Sequence, residues 1–177
     1  MPQPSSIPDA SGQPATPLFR RGAWGRLALA LLPLVAVSGL LLASLYRPSA
    51  DDAWWSVAAI RGGDWSVVRD LHRWGGELLL IAVWLHLFRV FMVGAYRRRS
   101  GWAVSVAGTL FVILSMVTGW LLRFDHGSAL VVDSLALGLP FLYALHVLVL
   151  PLALVSVFAV WRRHRASGGV TGEKGES

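Results

Sequence analysis

Residues 103–122, AVSVAGTLFVILSMVTGWLL, run for twenty positions without a charge. At ~1.5 Å per residue such a helix covers ~30 Å, the thickness of a bilayer's hydrocarbon core. Three further apolar stretches have comparable reach: Leu27–Leu45, Leu78–Met92 with its flanks, and Leu135–Trp161. In lipid every backbone polar group must be satisfied inside the chain, so only helices or a closed barrel can cross. Alternating ten-residue strands are absent, which excludes the barrel. With 177 residues, 55% of them hydrophobic, the sequence predicts an all-α fold: one transmembrane four-helix bundle. Its domain is expected over 20–165, between a disordered tail at 1–19, rich in Pro, Ser and Gln, and a solvated tail at 166–177.

The excess of base orients the bundle. Arg20, Arg21 and Arg26 precede the first span, Arg97, Arg98 and Arg99 follow the second, and Arg162, Arg163 and Arg165 follow the fourth. Four spans bring all three clusters to one side, which the positive-inside rule makes cytoplasmic, with both termini. This pattern speaks for a bacterial-type inner membrane and against nucleic acid as a partner. The paired arginine at 20–21 also resembles a twin-arginine signal, but the following apolar run is long for a cleaved segment and its loss would break the topology. With no cysteine in the chain, disulfides, iron–sulfur clusters and thioether-linked haem are excluded.

Chemistry concentrates in RDLHRWGGELLLIAVWLHLFR, residues 69–89. His72 and His86 stand fourteen residues apart on one helix, within ~40° of a common azimuth and ~21 Å apart along the axis. Imidazole is a standard axial ligand of haem iron, so the spacing suits two haems stacked across a membrane. It equally suits two buried polar residues hydrogen-bonded between helices. Gly25 and Gly39 repeat the same fourteen-residue step, consistent with close approach of a flat group or with ordinary small-residue packing. Arg69 and Arg89 flank the histidines at three residues and could pair with carboxylates such as haem propionates or snorkel to headgroups. Between the first two spans, DDAWWSVAAI predicts a short interfacial helix capped by Asp51, with Trp54, Trp55, Val57 and Ile60 as its apolar stripe.

Several motifs occur together and in order: SGLLLASLYRP on the first span, RxxH at Arg69–His72, HxFRVxxxG at His86–Gly94, VTGW at Val117–Trp120, and LHVLVLP around His146. Through them the chain resembles the N-terminal, four-helix half of cytochrome b from quinol–cytochrome c oxidoreductases. It is especially similar to the shorter, split form of photosynthetic complexes. The resemblance implies haem b between the second and fourth helices, each haem held by one histidine from each. Carried over, His72 and His146 hold the outer haem, with Gly39 and Gly119 making room for it. His86 and Gly25 match the inner site, but Ser105 stands where its second glycine is expected, and Val160 and Trp161 where its second histidine is expected. Three outcomes stay open at that inner site: the haem is absent with His86 hydrogen-bonded between helices, or it is held by His86 alone, five-coordinate, or His164 substitutes, eighteen residues or five full turns beyond His146.

The resemblance further implies electron transfer in a larger respiratory or photosynthetic complex. The partners would be a c-type cytochrome, an iron–sulfur or a C-terminal cytochrome b-like subunit, and quinone. At the end of the third span, Arg123 and Phe124 replace a Pro-Trp pair that helps form the family's outer quinol pocket, and the connection after Asp125 is short. An outer quinol-oxidising site is therefore not expected. The alternatives are a haem-binding anchor of a hydrogenase- or formate dehydrogenase-type enzyme and a haem-free scaffold subunit.

Overall fold

The computed structural model describes residues 23–92, 94, 99–123, 125–134 and 138–168. Both expected tails lie largely outside these residues, as do Arg20, Arg21, Arg97, Arg98 and Phe124. The described chain is helical: α1 (Ala23–Ala43), α2 (Ala53–Gly62), α3 (Ser66–Met92), α4 (Arg99–Leu121), α5 (His126–Ser134), α6 (Leu139–Ala144), a π-turn (Leu145–Val149) and α7 (Leu150–Gly168). Four helical segments are long and apolar enough to cross a bilayer: Ala23–Ala43, Ser66–Met92, Trp102–Leu121 and Leu139–Ala159. The last is built from α6, the π-turn and the first half of α7. The second begins twelve residues before Leu78, because its first turns carry paired charge; Arg73 Nε donates to Glu77 at 3.2 Å, four residues on.

α1 packs on α3, α3 on α4, and α4 on α7, while the π-turn touches both α1 and α4. The second and fourth spans are thus diagonal across the bundle, each flanked by the first and third. Small residues permit the close contacts. A Cβ on Gly75 would lie 3.1 Å from Val35 Cγ2 of α1, and one on Gly76 would lie 3.3 Å from Met116 Sδ of α4. Two adjacent glycines therefore seat α3 against two different neighbours, as expected where helices associate by packing alone. Ala28, Leu79, Ala82 and Val112 form the mid-bundle core. Outward positions such as Val37, Leu40 and Leu152 are more than half exposed, the apolar coat that lipid requires.

A second core closes the end opposite Arg26 and Arg162. Ala53, Leu121, Leu122, Val132, Leu139 and Leu142 pack together there with Tyr46 and Tyr143. Two details of the interfacial helix differ from the sequence reading. The N-cap residue is Asp52, whose side chain makes no cap bond; Ser49 Oγ instead accepts from the Asp52 backbone N–H at 3.1 Å. The buried positions are Ala53 and Ile60, whereas Trp54 and Trp55 face outward and pack edge to face at 4.6 Å. Ala53 is enclosed by Leu121, Leu122, Val132, Leu139 and Leu142, a seat with no room for an indole. The indole gains more at a headgroup boundary, where its N–H stays wet.

Candidate functional site

His72 projects from α3 toward α1. Its Nδ1 lies 3.0 Å from the Val35 carbonyl and 3.3 Å from Ser38 Oγ. Ser38 donates its own proton to the Leu34 carbonyl at 2.7 Å. The imidazole must therefore donate from Nδ1, to the carbonyl, which leaves the Nε2 lone pair uncommitted. His146, in the π-turn, repeats the arrangement against α4. Its Nδ1 is 3.0 Å from Thr118 Oγ1, and that hydroxyl already donates to the Leu114 carbonyl at 2.8 Å. Here too Nδ1 carries the proton and Nε2 is the free base. Tethering of one ring nitrogen is the usual way in which a protein fixes tautomer and orientation in a metal-ligating histidine.

Each ring lies on a glycine. A Cβ at Gly39 would come within 2.8 Å of His72 Cε1, and one at Gly119 within 2.9 Å of His146 Cε1. The glycines thus clear space for the imidazoles themselves. On both flanking helices the orienting hydroxyl immediately precedes the glycine: Ser38–Gly39 on α1, Thr118–Gly119 on α4. The two rings meet across the bundle with centroids 6.2 Å apart and planes at 85°. Two metal–nitrogen bonds of about 2 Å, plus the reach of each ring from nitrogen to centre, also come to about 6 Å. Two imidazoles with Nδ1 tethered and at this separation inside the bundle could hold a metal between them.

The π-turn under His146 has a cause in the sequence. Pro151 has no N–H, and its ring would clash with the Val147 carbonyl in a regular α-helix. The turn widens, and the Leu150 N–H bonds to the Leu145 carbonyl, five residues back. One extra residue per turn also shifts everything beyond it, so an eighteen-residue step no longer returns to the azimuth of His146. The appeal of residue 164 as a substitute ligand rested on that return; its own side chain, like those of Val160, Trp161 and His126, lies outside the described ones.

The other expected site residues are placed as follows. His86 is near the opposite end of α3, its ring against Gly25, where a Cβ would be 3.0 Å from Nδ1. Ser105 Oγ of α4 is 3.5 Å from His86 Nε2. The His86 Nδ1 is buried with no hydrogen-bond partner among the described residues. Arg89 follows one turn later. Arg69, one turn from His72, is ion-paired with Asp70 at 2.7 Å and is mostly buried, so a carboxylate already occupies its guanidinium.

Beyond Thr118, α4 ends in a charged clasp. Arg123 pairs with Asp125, with Nε donating at 3.1 Å, and Asp125 Oδ1 accepts from the Ser128 backbone N–H at 3.1 Å as the N-cap of α5. The guanidinium and the Ser128 N–H hold the Asp125 carboxyl down at about 2. Nearby, Tyr46 and Tyr143 stack at 5.8 Å. Tyr143 donates to the Ala43 carbonyl at 2.9 Å, tying α6 to the end of α1. Burial pushes the Tyr46 phenol up to about 12.

Sequence reading found the histidines and glycines but missed Ser38, Thr118 and the π-turn. The recurring hydroxyl–glycine pair and the proline five residues after His146 were the available signals.

Residues 15–141 match the family model for cytochrome b/b6/petB. The menaquinol:cytochrome c reductase cytochrome b subunit of Bacillus subtilis is 35% identical over 107 residues, covering 58% of this chain and 47% of that protein. Cytochrome b6 of Heliomicrobium gestii is 34% identical over 111 residues, 58% of this chain and 50% of the relative. Cytochrome b of Allochromatium vinosum is 32% identical over 124 residues, 66% and 30% respectively. The chain spans about half the length of the curated relatives it matches first. With a matched segment that takes in three of the four spans and reaches the start of the fourth, the chain belongs to the cytochrome b/b6 family.

Proposed function

We propose that this chain is a membrane-embedded b-type cytochrome subunit of a larger oxidoreductase complex, with haem b held between His72 and His146. The observation that carries this reading is the pair of Nδ1-tethered imidazoles facing one another at 6.2 Å. When bound, the haem would supply one-electron exchange at its iron. The protein's part is to hold the two Nε2 lone pairs in place, to keep water out, and to fix the depth of the centre in the bilayer. Val35 and Thr118 accept the Nδ1 protons and so raise the basicity of the ligating nitrogens. Arg69 can exchange Asp70 for a haem propionate, and Gly39 and Gly119 let the rings retreat far enough to admit the group.

Its proposed partners are other redox subunits: a c-type cytochrome, an iron–sulfur protein or a C-terminal cytochrome b-like chain. The termini are proposed to lie on the cytoplasmic face with the arginine clusters. Quinol oxidation at the α4–α5 end is not part of the proposal. The Arg123–Asp125 clasp puts a hydrated ion pair there, which suits a wet edge more than an apolar quinone pocket.

The test is haem analysis of the purified full chain. A Soret band and bis-imidazole low-spin signal are expected, and His146→Leu should lose that signal while remaining in the membrane. A folded His146→Leu protein with its low-spin haem intact overturns the ligand assignment. A wild-type chain with no haem at all would make it a scaffold.

A further inference from the structure

The fourteen-residue step that relates His72 to His86 also permits a comparison of the two ends of the bundle, level by level. At the first level α1 supplies Ser38–Gly39, α4 supplies Thr118–Gly119, and two histidines face each other. Fourteen residues earlier, α1 has Trp24–Gly25 and α4 has Val104–Ser105. Neither position before the glycine or its replacement carries a hydroxyl. Among the described residues His86 Nδ1 is buried with no hydrogen-bond partner, and the hydroxyl that does approach, Ser105 Oγ, stands 3.5 Å from Nε2, the nitrogen through which an Nδ1-tethered imidazole ligates.

The second imidazole is also missing by position. The chain has five histidines. His72 and His146 are used at the first level, and His126 opens α5 at that same end. Along α7 the residues fourteen and fifteen beyond His146 are Val160 and Trp161, and neither alkyl nor indole offers a lone pair to iron. His164 lies ~27 Å beyond His146 along the axis, whereas His86 is only ~21 Å from His72, a mismatch of about one helical turn. Two axial ligands of one metal must share a depth.

We infer that this chain carries one haem rather than two: the His86 level has lost the paired, tethered imidazoles of the His72 level, and His86 serves there as a packing residue against Gly25 and Ser105. This rests on the function proposed above. Electron exchange through this chain then begins and ends at the α2–α5 end of the bundle, and any second centre on the path belongs to a partner.

The test counts haem per chain by pyridine haemochrome on the full chain purified in detergent from haem-replete membranes, with electron paramagnetic resonance on the same sample. One haem per chain is expected, as a single low-spin signal without a high-spin companion. His86→Leu is expected to keep one haem and an unchanged signal, and His146→Leu to keep none. Two haems in the wild type, low-spin or high-spin, overturn the inference, as does loss of a haem on His86→Leu. Should His86→Leu fail to fold, the wild-type count decides by itself. A wild-type count of zero overturns the proposed function and this inference together.

Discussion

Thr118 illustrates how a neighbouring hydroxyl would set the character of the proposed ligand His146. It accepts the His146 Nδ1 proton at 3.0 Å while its own proton goes to Leu114. With His146 ligating haem as proposed, Thr118→Val keeps the shape and removes this acceptor, leaving only the Ser115 backbone, so the imidazole would be a poorer donor and the ferric state less stabilised. The midpoint potential is expected to rise. A net hydrogen bond of about 1 kcal/mol corresponds to ~40 mV for one electron, and a redox titration reads it directly. Gly39 makes the complementary case in sterics. A methyl at Gly39 would sit 2.8 Å from His72 Cε1, so Gly39→Ala must push the ring off its tether at a cost of about 1–3 kcal/mol. Haem occupancy should fall in proportion, with helix content by circular dichroism unchanged. Loss of helix content instead would show that the glycine serves the fold and not the ring.

At the scale of elements, the short helix α5 depends on one carboxylate. Asp125 caps it through the Ser128 N–H and holds Arg123 at the same time. Its carboxyl is held at about 2, below the usual 3.8, so protonation is easier in the unfolded chain than in the folded one. This contribution is therefore present in full above about pH 3.8 and is lost as pH falls through about 2. Asp125→Ala should destabilise α5 by about 1 kcal/mol, the ordinary value of an N-cap. Hydrogen exchange over residues 126–134 should quicken in that variant, while exchange in α3 stays as in the wild type. The π-turn is the second element with a local cause. Its Pro151 stands where a regular helix would need an N–H, and the widened turn that results is the one that presents His146.

For the molecule as a whole, four spans place Arg26, Arg99, Arg162 and Arg163 at one end and α2 and α5 at the other. Reporter fusions check the sidedness: a fluorescent protein fused after residue 177 is expected to fold and fluoresce, and alkaline phosphatase at the same point to stay inactive. An active phosphatase fusion would reverse the topology and move the His72–His146 level to the cytoplasmic half. The bundle's sparse interior is consistent with its solvent. Lipid supplies no hydrophobic force between helices, so the contacts are glycine seats and side-chain hydrogen bonds, with large apolar residues facing out.

The sequence by itself determined the class of solvent, the number of spans and the histidines worth watching. Length, absence of charge and helical period are properties of single segments, and each can be read one segment at a time. It also put Val160 and Trp161, as letters, at the positions where the His86 level would take a second histidine. Only the tertiary structure decided which acceptors hold the rings, because the Val35 carbonyl and Thr118 act across helices 37 and 28 residues distant in the chain. It likewise decided that Gly39 and Gly119 seat imidazoles, that Trp55 faces out where Ala53 and Ile60 face in, and that the turn at His146 is wide. These outcomes depend on how close two helices approach and at what azimuth, and that is fixed by packing between segments that no single one of them encodes.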